Sequence, residues 1–199
     1  MAKRAFDIVI AGFGLLLLGP VLLVIALWIK LDTRGPAIFR QERVGRGGVP
    51  FRIHKFRTMR ADAPAIGPQI TIGDDARITR VGRFLRRTKM DELPQLIDVL
   101  VGAMSLVGPR PEVPQYVALY PRDLRDKVLS VRPGITDPVS IAFRDESTLL
   151  ARATDPEREY VEVMLPRKLA AAAAYVEQAT LGRDLRLIAQ TLRALVLGR

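Results

Sequence analysis

The sequence contains no cysteine and a single histidine, His54. The lack of cysteine excludes disulfides, thiol nucleophiles and zinc-thiolate sites, and it is compatible with a reducing compartment. Because His54 lies among Phe51, Ile53 and Phe56, we expect a packed or surface histidine rather than the base of a Ser-His-Asp triad. Carboxylates and cationic side chains must therefore carry most of the chemistry of this chain.

Acidic residues are also in deficit. The 31 Lys and Arg residues outnumber 21 Asp and Glu, which gives a formal net charge of +10. Such a charge favours phosphate-rich partners, and anionic lipid, nucleic acid and nucleotide substrates all stay open. At 199 residues the chain has room for one catalytic unit with its own core.

One long segment lacks charge altogether. No charged residue occurs between Ile8 and Ile29, a length that matches the about 20 residues of a membrane span. The run is longer than the apolar part of a signal peptide, and no A-x-A-like cleavage site follows it, so a membrane segment is favoured. Pro20 lacks a backbone donor and crowds the carbonyl of Leu16, which predicts a kink.

Basic residues flank this run on both sides, with Lys3 and Arg4 before it and Lys30 and Arg34 after it. The positive-inside rule then gives no preferred direction of crossing, and both ends are predicted to be cytoplasmic. Each half reaches only about 15–18 Å, well short of a hydrocarbon core of about 30 Å. The pattern leaves two alternatives open, a re-entrant helix broken at Pro20 and an ordinary kinked spanning helix.

The rest of the chain is predicted to be mainly α with little β. Residues 37–40 and 51–56 could be strands or extended loop, no large sheet is expected, and the Pro- and Gly-rich residues 61–75 indicate a surface loop. Helical spacing predicts helices over the following ranges: a basic amphipathic helix over 77–89, a helix over 165–179, and an amphipathic leucine-bearing helix over 181–195.

These amphipathic helices have several interpretations. The basic helix could present a solvated face over a core stripe, lie on anionic lipid, or bind nucleic acid. The uncharged run argues against a nucleic-acid-binding protein, so no nucleic-acid partner is predicted. The leucine-bearing helices could contact the membrane or another subunit, which leaves a homodimer open.

Two adjacent carboxylates, Asp91 and Glu92, precede Pro94 and an apolar run, which predicts that they lie at a helix start. Acidic residues are favoured there for purely structural reasons, so the pair alone does not establish catalysis. Its surroundings are cationic, however, with Arg86, Arg87 and Lys89 before it and Arg110 between Pro109 and Pro111 after it.

This set of groups points to phosphoryl transfer. Arginine offers a planar donor fork for phosphate, paired carboxylates suit Mg²⁺, and a carboxylate can attack phosphorus. A glycosidase is disfavoured because neighbouring residues on a helix project about 100° apart and would not flank a sugar. A silent membrane scaffold is disfavoured by the intact pair.

Several motifs together resemble the bacterial sugar transferase family, specifically its small monotopic polyprenyl-phosphate phosphoglycosyltransferases. They cover nearly the whole chain in the family's order, at residues 3–7, 39–41, 55–59, 91–96, 105–112 and 131–136. The resemblance implies an N-terminal re-entrant membrane helix broken at Pro20, within residues 1–34. It also implies a compact catalytic domain over residues 35–199, with amphipathic interfacial helices at the cytoplasmic face of the bacterial inner membrane and its phospholipid bilayer.

The resemblance further implies a mechanism that begins glycan assembly. Asp91 would attack the sugar-bearing phosphate of a UDP-sugar and expel UMP, and polyprenyl (undecaprenyl) phosphate would then take the sugar phosphate from the aspartyl intermediate. Glu92 would hold Mg²⁺. The implied substrate-binding residues are Arg110 with Pro109 and Pro111, the cationic residues Lys55, Arg57 and Arg86, the weaker phosphate candidate Arg132, and Asp184, an acidic family position whose role the sequence does not give.

Residues 137–146 depart from the Gly-Leu and Gln-Val pattern of many family members. This variant leaves the chemistry in place but removes the basis for borrowing a sugar assignment. The sequence therefore predicts the reaction class without the sugar, the exact prenol or the glycan.

Overall fold

The protein is described by a computed structural model over residues 1–67, 70–139 and 146–197. It is 59% helix and 12% strand, which confirms the prediction of a mainly helical fold with little strand. The strands are β1 (Ile38–Val44), β2 (Pro50–Phe56), β3 (Ser105–Val107) and β4 (Gly134–Thr136). The helices are α1 (Ala2–Asp32), α2 (Ala63–Ile66), α3 (Arg80–Thr88), α4 (Gln95–Val101), α5 (Pro114–Val117), α6 (Arg122–Val128), α7 (Glu146–Leu150), α8 (Pro156–Glu159), α9 (Leu165–Glu177) and α10 (Leu181–Leu197).

The apolar helix α1 presents most of its side chains outward. Leu16 and Leu17, in its middle, are 80% and 64% exposed. By length and composition α1 is able to cross a membrane, and its exposed surface fits membrane association. Pro20 lies inside α1, which is assigned as helix from Ala2 to Asp32, so the break at Pro20 and the re-entrant path stay predictions.

The first turns of α1 are attached to the rest of the protein by polar contacts. The Arg4 guanidinium donates hydrogen bonds to the carbonyls of Val99 (2.5 Å) and Leu100 (2.9 Å) at the end of α4. The carboxylate of Asp7 accepts a hydrogen bond from the Ser105 hydroxyl at 2.8 Å. The Arg4 contacts satisfy C-terminal carbonyls of α4 that a helix leaves without partners.

The last turns of α1 contact the same body. Asp32 accepts a hydrogen bond from the backbone N–H of Val81 at 3.3 Å, in the first turn of α3. Trp28 packs against Phe84 of α3 with ring centroids 5.4 Å apart. Both halves of α1 therefore dock on the residues that follow it in the chain.

One core cluster joins α1, β2, α4, β3, α9 and α10. Its buried members include Ala11, Ile53, Val99, Leu106, Tyr175 and Leu187. Because elements far apart in sequence share this core, the position of α4 relative to α1 and α10 is fixed by apolar packing.

The strands form two separate pairs. β1 and β2 are antiparallel, with Ile38 opposite Phe56 and Val44 opposite Pro50, so the two short stretches considered as strands or loop form a longer hairpin. β3 and β4 are parallel, with Ser105 opposite Gly134 and Val107 opposite Thr136. The sequence did not predict this second pair, because three-residue strands carry almost no periodic signal.

The helix boundaries differ from the sequence prediction mainly at the basic helix. α3 begins at Arg80 rather than at residue 77, because the Thr79 hydroxyl caps it by accepting from the Gly82 N–H at 2.9 Å. The predicted surface loop over 61–75 contains α2, a helix of one turn, and the side chain of Ile70 in this loop is buried. α9 and α10 begin at the predicted residues. Of the variant segment 137–146, residues 140–145 lie outside the described residues.

Candidate active site

The Asp91–Glu92 pair lies in a 3₁₀ turn between α3 and α4. α3 ends because Lys89 adopts a left-handed backbone conformation (φ 58°), which no other non-glycine residue in the described ranges shares. Such a conformation costs about 1–3 kcal/mol and persists where the surrounding structure fixes it. The pair was predicted at a helix start, but α4 begins only at Gln95, so the structure places the pair just before it. Asp91 and Glu92 are 8% and 9% exposed.

Glu92 is held by two cations. Lys55, near the end of β2, donates to Glu92 Oε1 at 2.8 Å, and Arg110 donates to both carboxylate oxygens, to Oε2 at 3.4 Å. Burial alone would raise the pKa of Glu92, but attraction to Arg110 and Lys55, with their hydrogen bonds, holds this pKa well below its usual range. Burial lowers the pKa of Lys55 against the attraction of Glu92, and Glu92 raises the pKa of Arg110.

Asp91 is in a different situation. Its Oδ1 atom is buried and has no hydrogen-bond partner within the part of the chain that the structure describes. Burial raises the pKa of Asp91, the positive charge of Lys55 opposes the rise, and the negative charge of Glu92 adds to it. A buried carboxylate oxygen without a partner is costly for folding, so a native one calls for an explanation such as a catalytic role.

A third cation, Arg86, approaches the pair from α3. Its Nε and Nη1 atoms donate to the hydroxyls of Thr58 and Thr71 at 2.9 and 3.0 Å. Burial lowers the pKa of Arg86, while the charge of Asp91 acts in the opposite direction. Sequence reasoning missed Thr58 and Thr71, although Thr58 belongs to the recognised motif at 55–59.

The turn that carries Arg110 depends on two glycines at the β3–β4 pair. Gly134 N donates to Pro109 O at 2.9 Å, and Gly108 N donates to Thr136 O at 3.1 Å. A Cβ atom on Gly134 would lie 2.0 Å from Gly108 N, a distance that only glycine avoids. Pro109 and Pro111 therefore flank Arg110 on a turn that is anchored in the sheet.

The other predicted site residues make their contacts away from the pair. The Arg57 guanidinium, on a residue only 5% exposed, donates to the carbonyls of Thr33 and Arg34 after α1. Arg132 Nε donates to Gly102 O at 2.8 Å, at the end of α4. These contacts support positioning roles for both arginines.

Asp184 and His54 also have structural partners. Asp184 accepts a hydrogen bond from the Tyr175 hydroxyl at 2.6 Å and forms an ion pair with Lys3. His54 Nδ1 lies 2.7 Å from Asp98 Oδ1. Asp184 thus connects α10 to the start of α1.

A cleft of about 280 Å³ is lined by two neighbours of the pair, Lys89 and Arg110, and by residues that sequence reasoning missed. These further lining residues include Glu112, Glu146, Tyr160 and Lys168. Glu112 ends the motif at 105–112, which is the only local signal among these four. Tyr160 and Lys168 are brought to the cleft by packing of the C-terminal helices.

The carboxylates of the pair fit a divalent metal in their chemistry. Mg²⁺ is usually held by one or two protein carboxylates together with substrate phosphates and water. Asp91 has an unpartnered oxygen, and Glu92 retains acceptor capacity beyond its contacts with Lys55 and Arg110. Within the described ranges no group of three or more His, Cys, Asp or Glu side chains that could hold a metal ion is present.

The site combines the buried carboxylate of Asp91 with three nearby cations, Lys55, Arg86 and Arg110. The first helix of the same chain is long and apolar enough to cross a membrane. The bacterial sugar transferase model matches residues 1–198, and the chain belongs to the bacterial sugar transferase family.

Among its relatives, the chain is 41% identical to a UDP-glucose:undecaprenyl-phosphate glucose-1-phosphate transferase of Caulobacter vibrioides, over 98% of this chain and 70% of the relative. It is 46% identical to an Escherichia coli protein of the same name, over 76% of this chain and 33% of the relative. It is 43% identical to a UDP-N-acetylgalactosamine-undecaprenyl-phosphate N-acetylgalactosaminephosphotransferase of Aeromonas hydrophila, over 67% of this chain and 32% of that protein.

Proposed function

We propose that this protein is a phosphoglycosyltransferase that moves a sugar 1-phosphate from a UDP-sugar to undecaprenyl phosphate, with release of UMP. The observation that carries the proposal is the buried oxygen of Asp91, which no group in residues 1–67, 70–139 or 146–197 hydrogen-bonds, beside a Glu92 that is neutralised by Lys55 and Arg110. The names of the relatives support the donor and acceptor classes, because each name contains both a UDP-sugar and undecaprenyl phosphate.

In the proposed first step, a carboxylate oxygen of Asp91 attacks the phosphorus that bears the sugar. A P–O bond forms to Asp91 as the P–O bond to the bridging oxygen breaks, and UMP leaves with the electron pair. The raised pKa of Asp91 means that its carboxylate is poorly stabilised by the protein and is a better nucleophile once ionised.

In the second step, an oxygen of undecaprenyl phosphate attacks the same phosphorus and Asp91 departs as a carboxylate. The product is an undecaprenyl diphosphate sugar, and no oxidation or reduction occurs. Retaining the phosphosugar on the enzyme lets a soluble donor and a lipid acceptor react in turn without meeting.

The cations have separate roles in this proposal. Arg110 on its turn contacts the nucleotide part, while Lys55 and Arg86 offset the negative charge that attack on a diphosphate builds up. Glu92 would hold Mg²⁺, which when bound would supply positive charge to offset that of the diphosphate. Lys55 and Arg110, which now contact Glu92, are also cations that donor phosphates can engage.

We further propose that α1 is re-entrant, with residues 1–34 as the membrane helix region, both ends of which lie at the cytoplasmic surface, and residues 35–199 at the cytoplasmic face of the inner membrane. The support is that both halves of α1 dock on one body, through Arg4 and Asp7 at the start and Asp32 at the end. A helix that crossed the bilayer would place its two ends at opposite faces.

The lack of native cysteine allows a direct test of this topology. Ala2→Cys and Arg34→Cys should both react with a membrane-impermeant maleimide in inside-out vesicles and neither should react in intact spheroplasts. Glu177→Cys, on the exposed side of α9, is the control for the body. Labelling of the two ends from opposite faces would contradict the re-entrant path.

The reaction is tested with purified protein in lipid nanodiscs, Mg²⁺, undecaprenyl phosphate and a panel of UDP-sugars. UMP release with at least one donor, and a phosphosugar adduct on Asp91 by mass spectrometry when the acceptor is omitted, are the expected results. Release of UDP instead of UMP would indicate a glycosyltransferase and would contradict the proposal. An adduct on another side chain would contradict the role of Asp91.

A further inference from the structure

We infer that the cleft beside Arg110 binds the sugar ring of the donor, and that the Glu146–Lys168 ion pair on its wall selects among sugars. This inference rests on the proposed function, since it assigns a subsite for the same donor. Lys168 Nζ donates to both Glu146 carboxylate oxygens, at 2.9 and 3.2 Å. Nothing in the reaction at Asp91 requires this pair.

The position of the cleft fits a group attached to the reacting phosphorus. Its lining includes Lys89, two residues before Asp91, and Arg110, which holds Glu92. The sugar is bonded through one oxygen to the phosphate that Asp91 attacks, so its ring must lie close to the pair. The cleft is adjacent to the pair through Arg110, whose guanidinium contacts Glu92 and which also lines the cleft.

The chemistry of the lining fits a phosphosugar. Four cations (Arg43, Lys89, Arg110 and Lys168) and two carboxylates (Glu112 and Glu146) line the cleft. A phosphate can therefore lie against Lys89 and Arg110, while sugar hydroxyls donate to Glu146 and accept from Lys168. The Glu146 and Lys168 side chains are 27% and 15% exposed, so each can reach a ligand while held by the other. The volume of about 280 Å³ is just below the range of about 300–1,000 Å³ for drug-sized ligands and suits one substituted ring.

The same wall does not offer a slot for the nucleobase. Tyr116 and Tyr160 pack on each other with ring centroids 4.8 Å apart, and they are only 3% and 2% exposed. Lys168 lies 4.9 Å above the Tyr160 ring and covers it. With these two aromatic faces occupied, stacking on a planar base is not available from either tyrosine.

A hydrogen-bonded chain holds the ion pair in place. The Tyr160 hydroxyl donates to Glu112 Oε2 at 2.6 Å, and Lys168 Nζ lies 3.4 Å from the same hydroxyl. Glu112 in turn accepts from the Val113 N–H at 2.8 Å, next to the turn that carries Arg110. Glu146 and Lys168 are therefore fixed relative to the phosphate-binding side, as discrimination between epimers requires.

The test measures kcat/KM for UMP release with four UDP-hexoses that differ at C2 and C4, using the full chain in nanodiscs. In Glu146→Gln and, separately, Lys168→Gln, the ratio between the preferred donor and the next one should fall about 10- to 100-fold, as expected for a lost hydrogen bond to a charged group. The inhibition constant of UMP should not change. The matched control is Glu177→Gln, which breaks the exposed Lys127–Glu177 pair elsewhere and should leave the ratio as in wild type.

The possible results separate the inference from the proposed function. If wild type prefers one donor and both glutamine variants keep the same ratio of kcat/KM between donors, the sugar subsite is overturned while the reaction stands. The same conclusion follows if wild type shows no preference among the donors. A parallel change of the UMP inhibition constant would assign the cleft to the nucleotide and overturn the inference. If wild type releases no UMP with any donor, the proposed function fails. The subsite is then tested by binding alone, and equal dissociation constants for UDP and all four UDP-hexoses in wild type and variants would overturn it.

Discussion

Two buried acidic clusters in this protein differ in how completely their oxygens are used. In the anchoring cluster, Asp7 accepts from the Ser105 hydroxyl and the Leu106 N–H, and Asp184 accepts from Tyr175 and pairs with Lys3. In the dyad, Glu92 is equally well paired, but Asp91 leaves a buried oxygen that has no partner among the residues that the structure describes. The first cluster ties α1 to the body, and only the second keeps an oxygen available for reaction.

The contrast shows why burial of a carboxylate does not by itself indicate catalysis. Satisfied buried carboxylates are structural anchors whose loss leaves donors unpaired. An unsatisfied one lowers stability and persists where a reaction uses it. The substitutions below are ordered by the size of the effect that this contrast predicts.

Asp91→Asn should reduce UMP release by at least about 10⁴-fold, because the amide cannot serve as the nucleophile. The phosphosugar adduct should disappear from mass spectra of the protein incubated with donor alone. Circular dichroism should show the wild-type helix content. Turnover of Asp91→Asn at the wild-type rate would contradict the catalytic role that distinguishes the dyad from the anchoring cluster.

Glu92→Gln should reduce UMP release about 10²- to 10³-fold, since Lys55 and Arg110 lose their counter-ion and the proposed Mg²⁺ ligand loses its charge. The Mg²⁺ concentration that gives half-maximal rate should rise in the same variant. An unchanged Mg²⁺ dependence would contradict the assignment of the metal to Glu92.

Asp184→Asn should chiefly lower the free energy of unfolding, by about 1–3 kcal/mol, through loss of a charged partner for Lys3 and Tyr175. Thermal unfolding in detergent measures this change. Activity per folded molecule should fall by far less than in Asp91→Asn. A loss of activity as large as that of Asp91→Asn, without loss of stability, would place Asp184 in the chemistry instead.

The smallest predicted effect is a pH-dependent difference in stability between wild type and Asp91→Asn. Because the folded state raises the pKa of Asp91, the protonated form favours folding at low pH, and this contribution is lost as pH rises through the folded-state pKa. Asp91→Asn should therefore melt at a higher temperature than wild type at pH 8, and the difference should shrink towards pH 4.

The rate of adduct formation in wild type should fall as the pH decreases from 8 to 4, since attack requires the carboxylate. The pKa that describes this fall should lie above the pKa of about 3.9 of a free aspartate. A melting difference that is independent of pH would contradict the raised pKa.

The sequence predicted the features that local pattern determines. The uncharged run of α1, the two C-terminal helices and the motif residues of the dyad were all readable, and the family assignment is confirmed. The start of α3 was missed because the Thr79 cap outweighed the apolar spacing that begins earlier. The pairing of Lys3 with Asp184 and the meeting of Lys168 with Glu146 join residues far apart in sequence, which periodicity cannot report.

α4 connects the region of the dyad to the start of α1. It has seven residues, about 10 Å of helix; it begins just after the dyad, and its last carbonyls accept hydrogen bonds from Arg4 at the start of α1. With α1 in the bilayer as proposed, the height of Asp91 above the lipid surface is set by this short rigid helix. A change in acyl-chain length would then shift the whole enzyme with its anchor, so the reacting carboxylate would stay at the level of the headgroups when a bacterium remodels its lipids.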